Sequence, residues 1–151
     1  MMLSSRHSEQ TWDKKLHIDT CGLDRSSEDY HHFPYEPTPY SVLEQLAESG
    51  WIRKENVLLD YGCGKGRTGI FLSDRIGCRS VGIDFNEDFI EAAQDNLARY
   101  ARARQGRHAG NAGHVGNAGH ATPDRIAFFH ANAERYPVPD EIDRFYFFNK
   151  L

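Results

Sequence analysis

Between Val57 and Arg67 the sequence reads Val57-Leu-Leu-Asp-Tyr-Gly-Cys-Gly-Lys-Gly-Arg67. Its apolar start is typical of a buried strand, and a carboxylate, Asp60, precedes a loop with glycine at every second position. Glycine lets the main chain turn tightly and approach a ligand without a Cβ in the way. Residues 68–76 then predict a helix, whose N-terminus directs unpaired N–H groups and its positive dipole end toward an anion. The stretch therefore predicts a cradle for a nucleotide cofactor.

The glycine loop also fits, in part, the patterns of other nucleotide-binding folds. Gly64-Lys-Gly66-Arg-Thr-Gly69 satisfies the G-x-G-x-x-G pattern of nicotinamide dinucleotide sites. In those sites the first glycine follows the strand almost directly, whereas Gly64 lies five residues beyond Leu59. If Gly62 is taken as the first glycine, the third position is Arg67. A P-loop is excluded because the loop lysine is followed by glycine rather than by Ser or Thr.

The pattern Asp60-x-Gly62-x-Gly64-x-Gly66 resembles motif I of class I S-adenosylmethionine-dependent methyltransferases. The resemblance covers roughly residues 35–149, and it implies a Rossmann-like α/β three-layer sandwich with S-adenosyl-L-methionine as cofactor. It also implies roles within the motif. Asp60 would position the methionyl amino end of the cofactor, and the loop amides around Gly62 and Gly64 would hold its polar groups.

A second carboxylate follows the next predicted strand, which begins near Ser80 and ends at Asp84. Asp84 lies twenty-two residues after Gly62, a separation that fits one strand-helix-strand unit. A carboxylate at this strand end can accept hydrogen bonds from both ribose hydroxyls, in dinucleotide and S-adenosylmethionine sites alike. Phe85 beside it would either pack on the adenine face or belong to the core. Asn86 is a favourable N-cap for the helix that follows.

A third strand is predicted at 125–130 and leads into Asn132 and Ala133. Methyltransferases often carry an acidic residue in the corresponding turn, where it contacts the adenine amino group. The resemblance implies that Asn132 and Ala133 contact the adenine here. Asparagine departs from that pattern, but its amide oxygen can still accept from an amino group.

The last predicted strand is rich in aromatic residues, Phe145-Tyr-Phe-Phe148, and the chain ends three residues later. Large apolar groups on both faces are typical of a central strand covered by helices. In the methyltransferase sheet, of order 3-2-1-4-5-7-6, a chain that stops here contains strands 1–4, lacks strands 5–7 and leaves an open apolar edge. We therefore expect a truncated gene product or an imposed boundary, with self-association through the exposed fourth strand as one consequence.

Two further segments lie outside these motifs. The sequence predicts an N-terminal arm at 1–40 and a partial S-adenosylmethionine-binding domain at 41–151, with a helix starting near Pro39 and an apolar face that includes Val42 and Leu43. Tyr35 and Tyr40 would either anchor the arm on the core or line the cofactor site. A twofold Gly-Asn-Ala-Gly-His repeat predicts a flexible insertion at 106–122. Its evenly spaced histidines predict no metal site, and neither do His31 and His32; the repeat histidines are His108, His114 and His120.

The composition limits the function classes. The net charge is −4, so no surface for nucleic acid is indicated. Three irregularly spaced cysteines fit a reducing, cytoplasmic compartment better than a disulfide framework. No apolar run approaches the length of a membrane span.

The sequence thus predicts a methyltransferase that transfers a methyl group from S-adenosylmethionine to an acceptor it does not identify. Its catalytic residues are not identified either. Two alternatives stay open at this point. One is an NAD(P)-dependent oxidoreductase, which would use Asp84 in the same way. The other is a catalytically silent, cofactor-binding remnant that binds a partner.

Overall fold

The computed structural model describes residues 2–22, 35–109 and 123–148 of the 151-residue chain. The side chains of residues 2–7 and 107–109, and that of Pro123, are not described. Several predictions lie outside the described residues. They concern His31 and His32, the repeat from residue 110 onward with His114 and His120, the His108 side chain, and the last three residues, 149–151.

A parallel sheet organises the described part of the chain. Its strands run in the order β3-β2-β1-β4, which is the order 3-2-1-4 that the methyltransferase resemblance implies for these strands. The register places Asp60 beside Gly82 on one neighbour and beside Tyr146 on the other. The strands are β1 Val57–Tyr61, β2 Arg79–Asp84, β3 Ile126–His130 and β4 Arg144–Phe147.

Four α-helices and one 3₁₀ turn accompany the sheet in the described segments. The predicted strand, glycine loop and helix are confirmed as β1, residues 62–66 and α3. Asn86 caps α4 as predicted, because its side-chain oxygen accepts from the amides of Asp88 at 3.0 Å and Phe89 at 3.3 Å. The helices are α1 Met2–Leu16, α2 Tyr40–Glu48, α3 Arg67–Ile76 and α4 Glu87–Ala109, and the 3₁₀ turn is Pro123–Arg125.

The core is divided by the sheet into two unequal clusters. The larger cluster combines residues of β1, β3 and β4 with residues that belong to, or directly follow, all four helices. The smaller cluster contains alternate residues of β1 and β2, such as Leu59 and Ile83, together with Ile142 from the loop before β4, and includes no helical residue. Side chains alternate between the two faces along a strand. Among the described residues, the helices therefore cover one face of the sheet.

Strand β4 lies at the edge of the described sheet and pairs there with β1. Phe145 and Phe147 point away from the helices and are each about half exposed, at 52% and 51%. Tyr61 stacks on Phe147 with ring centroids 4.7 Å apart. The predicted open apolar edge is therefore present among the described strands, while the helical cover that the aromatic run also suggested is not found on this face.

Two details of the N-terminal region differ from the expectations. Sequence analysis did not predict helix α1, whose Leu16 is buried in the larger cluster. Val42 was placed on the apolar face of α2 but is 43% exposed, and this part of the prediction is wrong because Tyr40 and Leu43 take the buried positions. Tyr40 is completely buried, as expected for a residue that anchors the arm.

Within the described ranges, no helix has the length and apolar character needed to cross a membrane.

Candidate functional site

The predicted site residues meet at the carboxyl edge of the sheet. In a parallel sheet the strands all end at this edge, and ligands bind in the crevice beyond it. Asp60 lies near the end of β1, Asp84 ends β2, and Asn132 follows β3. We refer to the loop 62–66 together with Asp60 and Asp84 as the cradle.

The glycine loop is fastened to the end of β2. The amides of Gly62 and Cys63 donate to the carbonyl oxygen of Ile83 at 2.8 and 2.9 Å. The amide of Gly64 donates to Oδ2 of Asp84 at 2.9 Å. Because three successive amides are held by β2, the loop has a fixed position relative to Asp84.

Gly64 and Gly66 are required for this path. Their φ angles are +54° and +90°, in the left-handed region that favours glycine. A Cβ on Gly64 would lie 2.7 Å from Cε2 of Tyr35, and one on Gly66 would lie 2.7 Å from Cζ of Phe128. The two glycines therefore provide both the turn and the space for neighbouring rings.

Asp84 is buried, with 8% of its surface exposed, yet it keeps hydrogen-bonding capacity. Oδ2 accepts from the Gly64 amide and Oδ1 accepts from the Asn86 amide at 2.9 Å. A carboxylate offers more acceptor sites than these two bonds use. Asp84 is thus oriented by the protein and can still accept from a hydroxyl-bearing ligand.

Asp60 is 4% exposed and lies next to Tyr146 of β4. Burial raises the pKa of Tyr146, the negative charge of Asp60 raises it further, and the hydrogen bond with Thr38 opposes the shift. The Tyr146 hydroxyl and Thr38 Oγ1 are 2.8 Å apart. The Tyr146 phenol is therefore neutral at physiological pH and acts as a hydrogen-bonding group beside a buried carboxylate.

A small cavity, partly open to solvent, adjoins the cradle. It lies between the loop, strand β4 and the segment 35–38. Its polar and aromatic lining includes Tyr35, Glu36, Thr38, Asp60, Arg67 and Tyr146. The lining has two carboxylates and two phenol rings, and the charge of Arg67 is paired with Glu9, so the cavity suits a positively charged group.

Phe85, Asn132 and Ala133 lie at the exposed rim beyond β2. Phe85 is 60% exposed, which rules out the core-packing alternative for this residue. The amide of Ala131 donates to the main-chain oxygen of Asp84 at 3.0 Å, so the start of the 131–133 turn is held beside Asp84. Oδ1 of Asn132 accepts from the Glu134 amide at 2.9 Å and so helps to form the turn. The rim places an aromatic ring and a polar turn on the same side of the cradle.

Several side chains that the sequence did not indicate also line the cavity, among them Thr38, Arg67 and Tyr146. Arg67 directly follows the glycine loop, but its partners are distant in sequence, as described below. Tyr146 was treated only as part of an aromatic run. The sheet register brings Tyr146 beside Asp60, whereas the fold of the N-terminal region brings the partners of Arg67 to its guanidinium.

The cysteines and the metal-binding residue types add no second site within the described residues. There, no group of three or more His, Cys, Asp and Glu side chains could hold a metal ion. Cys63 is buried and packs against Gly82, where an added Cβ would lie 2.7 Å from the Cβ of Cys63. Its small side chain therefore fits the close approach of the loop to β2.

Comparison with known proteins agrees with this geometry. A protein-family model described as "Methyltransferase domain" matches residues 58–118. A curated protein-lysine N-methyltransferase from Saccharolobus islandicus is 30% identical over 69 residues, which are 45% of this chain and 43% of that protein.

Solved structures show the same fold. A SAM-dependent methyltransferase from Thiobacillus denitrificans, in complex with S-adenosyl-L-homocysteine, matches with a TM-score of 0.55 and 19% identity. The match covers 83% of this chain and 43% of that one. A SAM-dependent methyltransferase from Geobacter sulfurreducens, also in complex with S-adenosyl-L-homocysteine, matches with a TM-score of 0.51 and 21% identity. This match covers 74% of this chain and 36% of that one.

These similarities confirm the resemblance to class I methyltransferases and the Rossmann-like α/β fold that the sequence predicts. The family model begins inside β1 and includes the whole glycine loop and Asp84. The matched regions span less than half the length of the curated relative and of both solved structures.

Proposed function

We propose that this chain binds S-adenosylmethionine in the cradle and transfers its methyl group to an acceptor. The observation that carries the proposal is the pairing of two buried carboxylates, Asp60 and Asp84, on adjacent strands on either side of a glycine loop that is bonded to one of them. The match of residues 58–118 to a methyltransferase domain supports the same assignment.

Each part of the cofactor has a proposed partner in the cradle. The ribose hydroxyls would donate to Asp84, whose oxygens are already oriented by Gly64 and Asn86. The adenine would lie at the rim near Phe85, with Asn132 and Ala133 along its edge. The methionyl ammonium would lie near Asp60, and the loop 62–66, including Gly66, would surround the methionyl chain.

The chemistry asks little of the protein beyond positioning. The sulfonium of the cofactor is already an activated leaving group, so the main contribution is to hold the nucleophile in line with the methyl carbon and sulfur. In the transfer, a lone pair of the nucleophile forms the new bond to carbon while the sulfur retains the electrons of the broken C–S bond. The carboxylates and phenol rings of the cavity favour the positive charge that the sulfonium brings.

An amine is the first acceptor to test. The curated relative is named a protein-lysine N-methyltransferase, and the cavity next to the cradle carries Glu36, Asp60 and Tyr146. A neutral amine would use its nitrogen lone pair for the new bond and would release a proton to solvent afterwards. Before that proton is lost, the product is a methylammonium, which the acidic and aromatic lining would hold near the cavity.

Calorimetry separates this function from its alternatives. We expect saturable binding of S-adenosylhomocysteine and none of NADH by the 151-residue chain. Saturable NADH binding without S-adenosylhomocysteine binding would overturn the proposal in favour of an oxidoreductase. If S-adenosylhomocysteine binds but no methyl transfer to lysine-containing proteins, peptides or small amines is detected, the catalytically silent remnant becomes the better description.

Three further predictions from the sequence remain proposals. The division into an arm at 1–40 and a domain at 41–151 is supported by the change from α1 and an extended segment to strand-helix units. A cytoplasmic location is supported by the odd number of cysteines. Self-association through β4 is supported by its edge position and by the half-exposed Phe145 and Phe147, and sedimentation at several concentrations would test it.

A further inference from the structure

Arg67, the first residue of α3, is a charged side chain that is almost completely buried, with 3% of its surface exposed. Burying a guanidinium is costly unless it is paired and its donors are satisfied. Here the positive charge is paired with Glu9 of α1, since NH1 of Arg67 donates to Oε2 of Glu9. Such a group is retained only where a specific geometry compensates its burial.

The other donors of the guanidinium go to the N-terminal region as well. Nε donates to Oγ1 of Thr20 at 2.7 Å, and NH1 also donates to the main-chain oxygen of Thr38 at 3.1 Å. NH2 lies 3.6 Å from Sγ of Cys21. We call this set, Glu9, Thr20, Cys21, Thr38 and Arg67, the Arg67 network. One side chain at the end of the glycine loop therefore binds three separate pieces of the N-terminal region.

A second layer of hydrogen bonds makes those pieces rigid. Asp13 of α1 accepts from the Thr20 amide at 2.6 Å, from the Thr20 hydroxyl at 2.7 Å and from the Cys21 amide at 3.0 Å. The Tyr40 hydroxyl donates to the same carboxylate at 2.5 Å, and the Arg67 guanidinium lies 4.2 Å from the centre of the Tyr40 ring. Two partners of Arg67, Thr20 and Cys21, are thus also held by Asp13.

The N-terminal region that Arg67 binds also contacts the cradle itself. The Tyr35 ring lies against Gly64, and its hydroxyl donates to the main-chain oxygen of Thr20 at 2.8 Å. Thr38 reaches across the cavity to Tyr146. Arg67 and Thr38 both line the cavity. A displacement of the N-terminal region would therefore change the cavity, which Tyr35 and Thr38 line, while the bonds to β2 keep residues 62–64 beside Asp84.

We propose that Arg67 is a positioning residue, which holds the N-terminal region on the glycine loop and so fixes the half of the site that receives the methionyl part of the cofactor. The inference rests on the proposed function for the identity of the ligand. It predicts that the Arg67 network matters for the methionyl end and has little effect at the adenosine end. A residue that only stabilised the fold would affect both ends alike.

The test compares S-adenosylhomocysteine with adenosine, which lacks the methionyl part, by calorimetry. The variants are Arg67→Met, Arg67→Lys and Glu9→Gln, and the matched control is Arg75→Met. Arg75 lies on the same helix, is 43% exposed and is 3.9 Å from Glu48 in a surface ion pair. Its guanidinium also lies 5.8 Å from the centre of the Trp12 ring of α1, so the control removes a cation near α1 without touching the Arg67 network. Thermal unfolding and circular dichroism establish that each variant is folded at the temperature of the titration.

We expect Arg67→Met to weaken S-adenosylhomocysteine binding by at least about tenfold and adenosine binding by less than about twofold. Arg67→Lys and Glu9→Gln should give smaller losses with the same asymmetry, because each keeps part of the network. Arg75→Met should change neither affinity. Equal losses for the two ligands, or unchanged S-adenosylhomocysteine binding by folded Arg67→Met, would overturn the inference.

Amide hydrogen exchange supplies a readout that needs no ligand. Faster exchange at residues 65 and 66, which follow the three amides that β2 holds, in Glu9→Gln and Arg67→Met, with unchanged exchange in β2 and with no effect of Arg75→Met, would support the positioning role. Uniform acceleration across the sheet, or none in the loop, would contradict it. If the wild-type chain binds neither ligand, the proposed function fails, and the exchange pattern still decides the role of Arg67.

Discussion

Replacing Gly64 by alanine tests the account of the glycine loop at its most crowded point. The residue has φ +54°, and a Cβ there would lie 2.7 Å from Cε2 of Tyr35. The ring cannot easily withdraw, because Tyr35 is 4% exposed and is held by its hydrogen bond to Thr20. Gly50 provides a matched control, since it has φ +76° and a Cβ at that position would meet nothing within 4 Å.

Gly64→Ala and Gly50→Ala both introduce backbone strain, and only Gly64→Ala also introduces a steric contact. The left-handed backbone costs a non-glycine residue about 1–2 kcal/mol. At position 64 the methyl group also enters a packed contact, and overpacking typically costs about 1–3 kcal/mol. We therefore expect Gly64→Ala to destabilise by about 2–5 kcal/mol and Gly50→Ala by about 1–2 kcal/mol. For a domain of this size, that corresponds to a lowering of Tm by roughly 5–15 °C for Gly64→Ala.

Urea unfolding of the two variants, repeated in a Tyr35→Ala background, separates the terms. In that background the ring is absent, so Gly64→Ala should cost no more than Gly50→Ala does. The coupling between positions 35 and 64 then measures the steric contact alone. If Gly64→Ala costs the same with and without the Tyr35 ring, the close packing of the arm on the loop is not what makes glycine necessary there.

Further predictions concern stability, titration, reactivity and binding. Gly106 lies in helix α4 with open space around it, so G106A should raise the free energy of unfolding by about 0.5–1 kcal/mol, and a loss on denaturant unfolding would contradict this. Hydrogen bonds from Asn56 and from the Val57 amide lower the pKa of Asp143 below its ordinary value of 3.8. Its carboxylate therefore stabilises the fold above pH 3.8, and the difference in unfolding free energy between wild type and D143N should shrink as the pH falls below that value. A difference that does not change with pH would contradict this role of Asp143. Burial, followed in effect by the Asp13 carboxylate, raises the pKa of Cys21 to about 11. Alkylation of Cys21 by iodoacetamide at pH 8 should therefore be at least about tenfold slower than alkylation of glutathione, and equal rates would refute this. An S-adenosylhomocysteine analogue without ribose hydroxyls should bind roughly tenfold to a hundredfold more weakly, and equal affinity would remove the ribose role of Asp84.

The cofactor half of the fold could be predicted because its signals are local. Asp60 and the loop glycines are adjacent in sequence, and Asp84 follows after one strand-helix unit. The loop conformation requires glycine at particular positions, and those glycines are the sequence motif. The motif therefore predicts the conformation of the loop directly.

Helix α1 could not be predicted in this way. Its contacts with the rest of the fold depend on polar groups, Glu9 and Asp13, whose partners Arg67 and Tyr40 lie 58 and 27 residues away. Its apolar contacts come from a few side chains such as Trp12 and Leu16, which are too few to give the sequence a periodic apolar stripe. The distance in sequence between Arg67 and its partners likewise explains why Arg67 itself was missed as a residue of the site.

The segment between β3 and β4 shows that a strand pattern does not predict which elements cover the strand. The aromatic run at 145–148 was correctly predicted as a strand, yet apolar residues on both faces suggested helical cover. Among the described residues the link from β3 to β4 contains turns instead of a helix, and Phe145 and Phe147 stay half exposed. The alternation of residues along a strand shows which side chains are apolar enough to be buried. Whether they are buried depends on the elements that pack on that face of the sheet.

Amide NMR of the isotopically labelled chain during titration with S-adenosylhomocysteine reports, residue by residue, whether the cradle binds the cofactor. We expect saturable shifts concentrated at residues 60–66, at Asp84 and Phe85, and at Asn132 and Ala133, with little change at the C-terminal end of α1 and none on addition of NADH. Saturation with no response in the loop 62–66, or the same pattern of shifts with NADH, would contradict it.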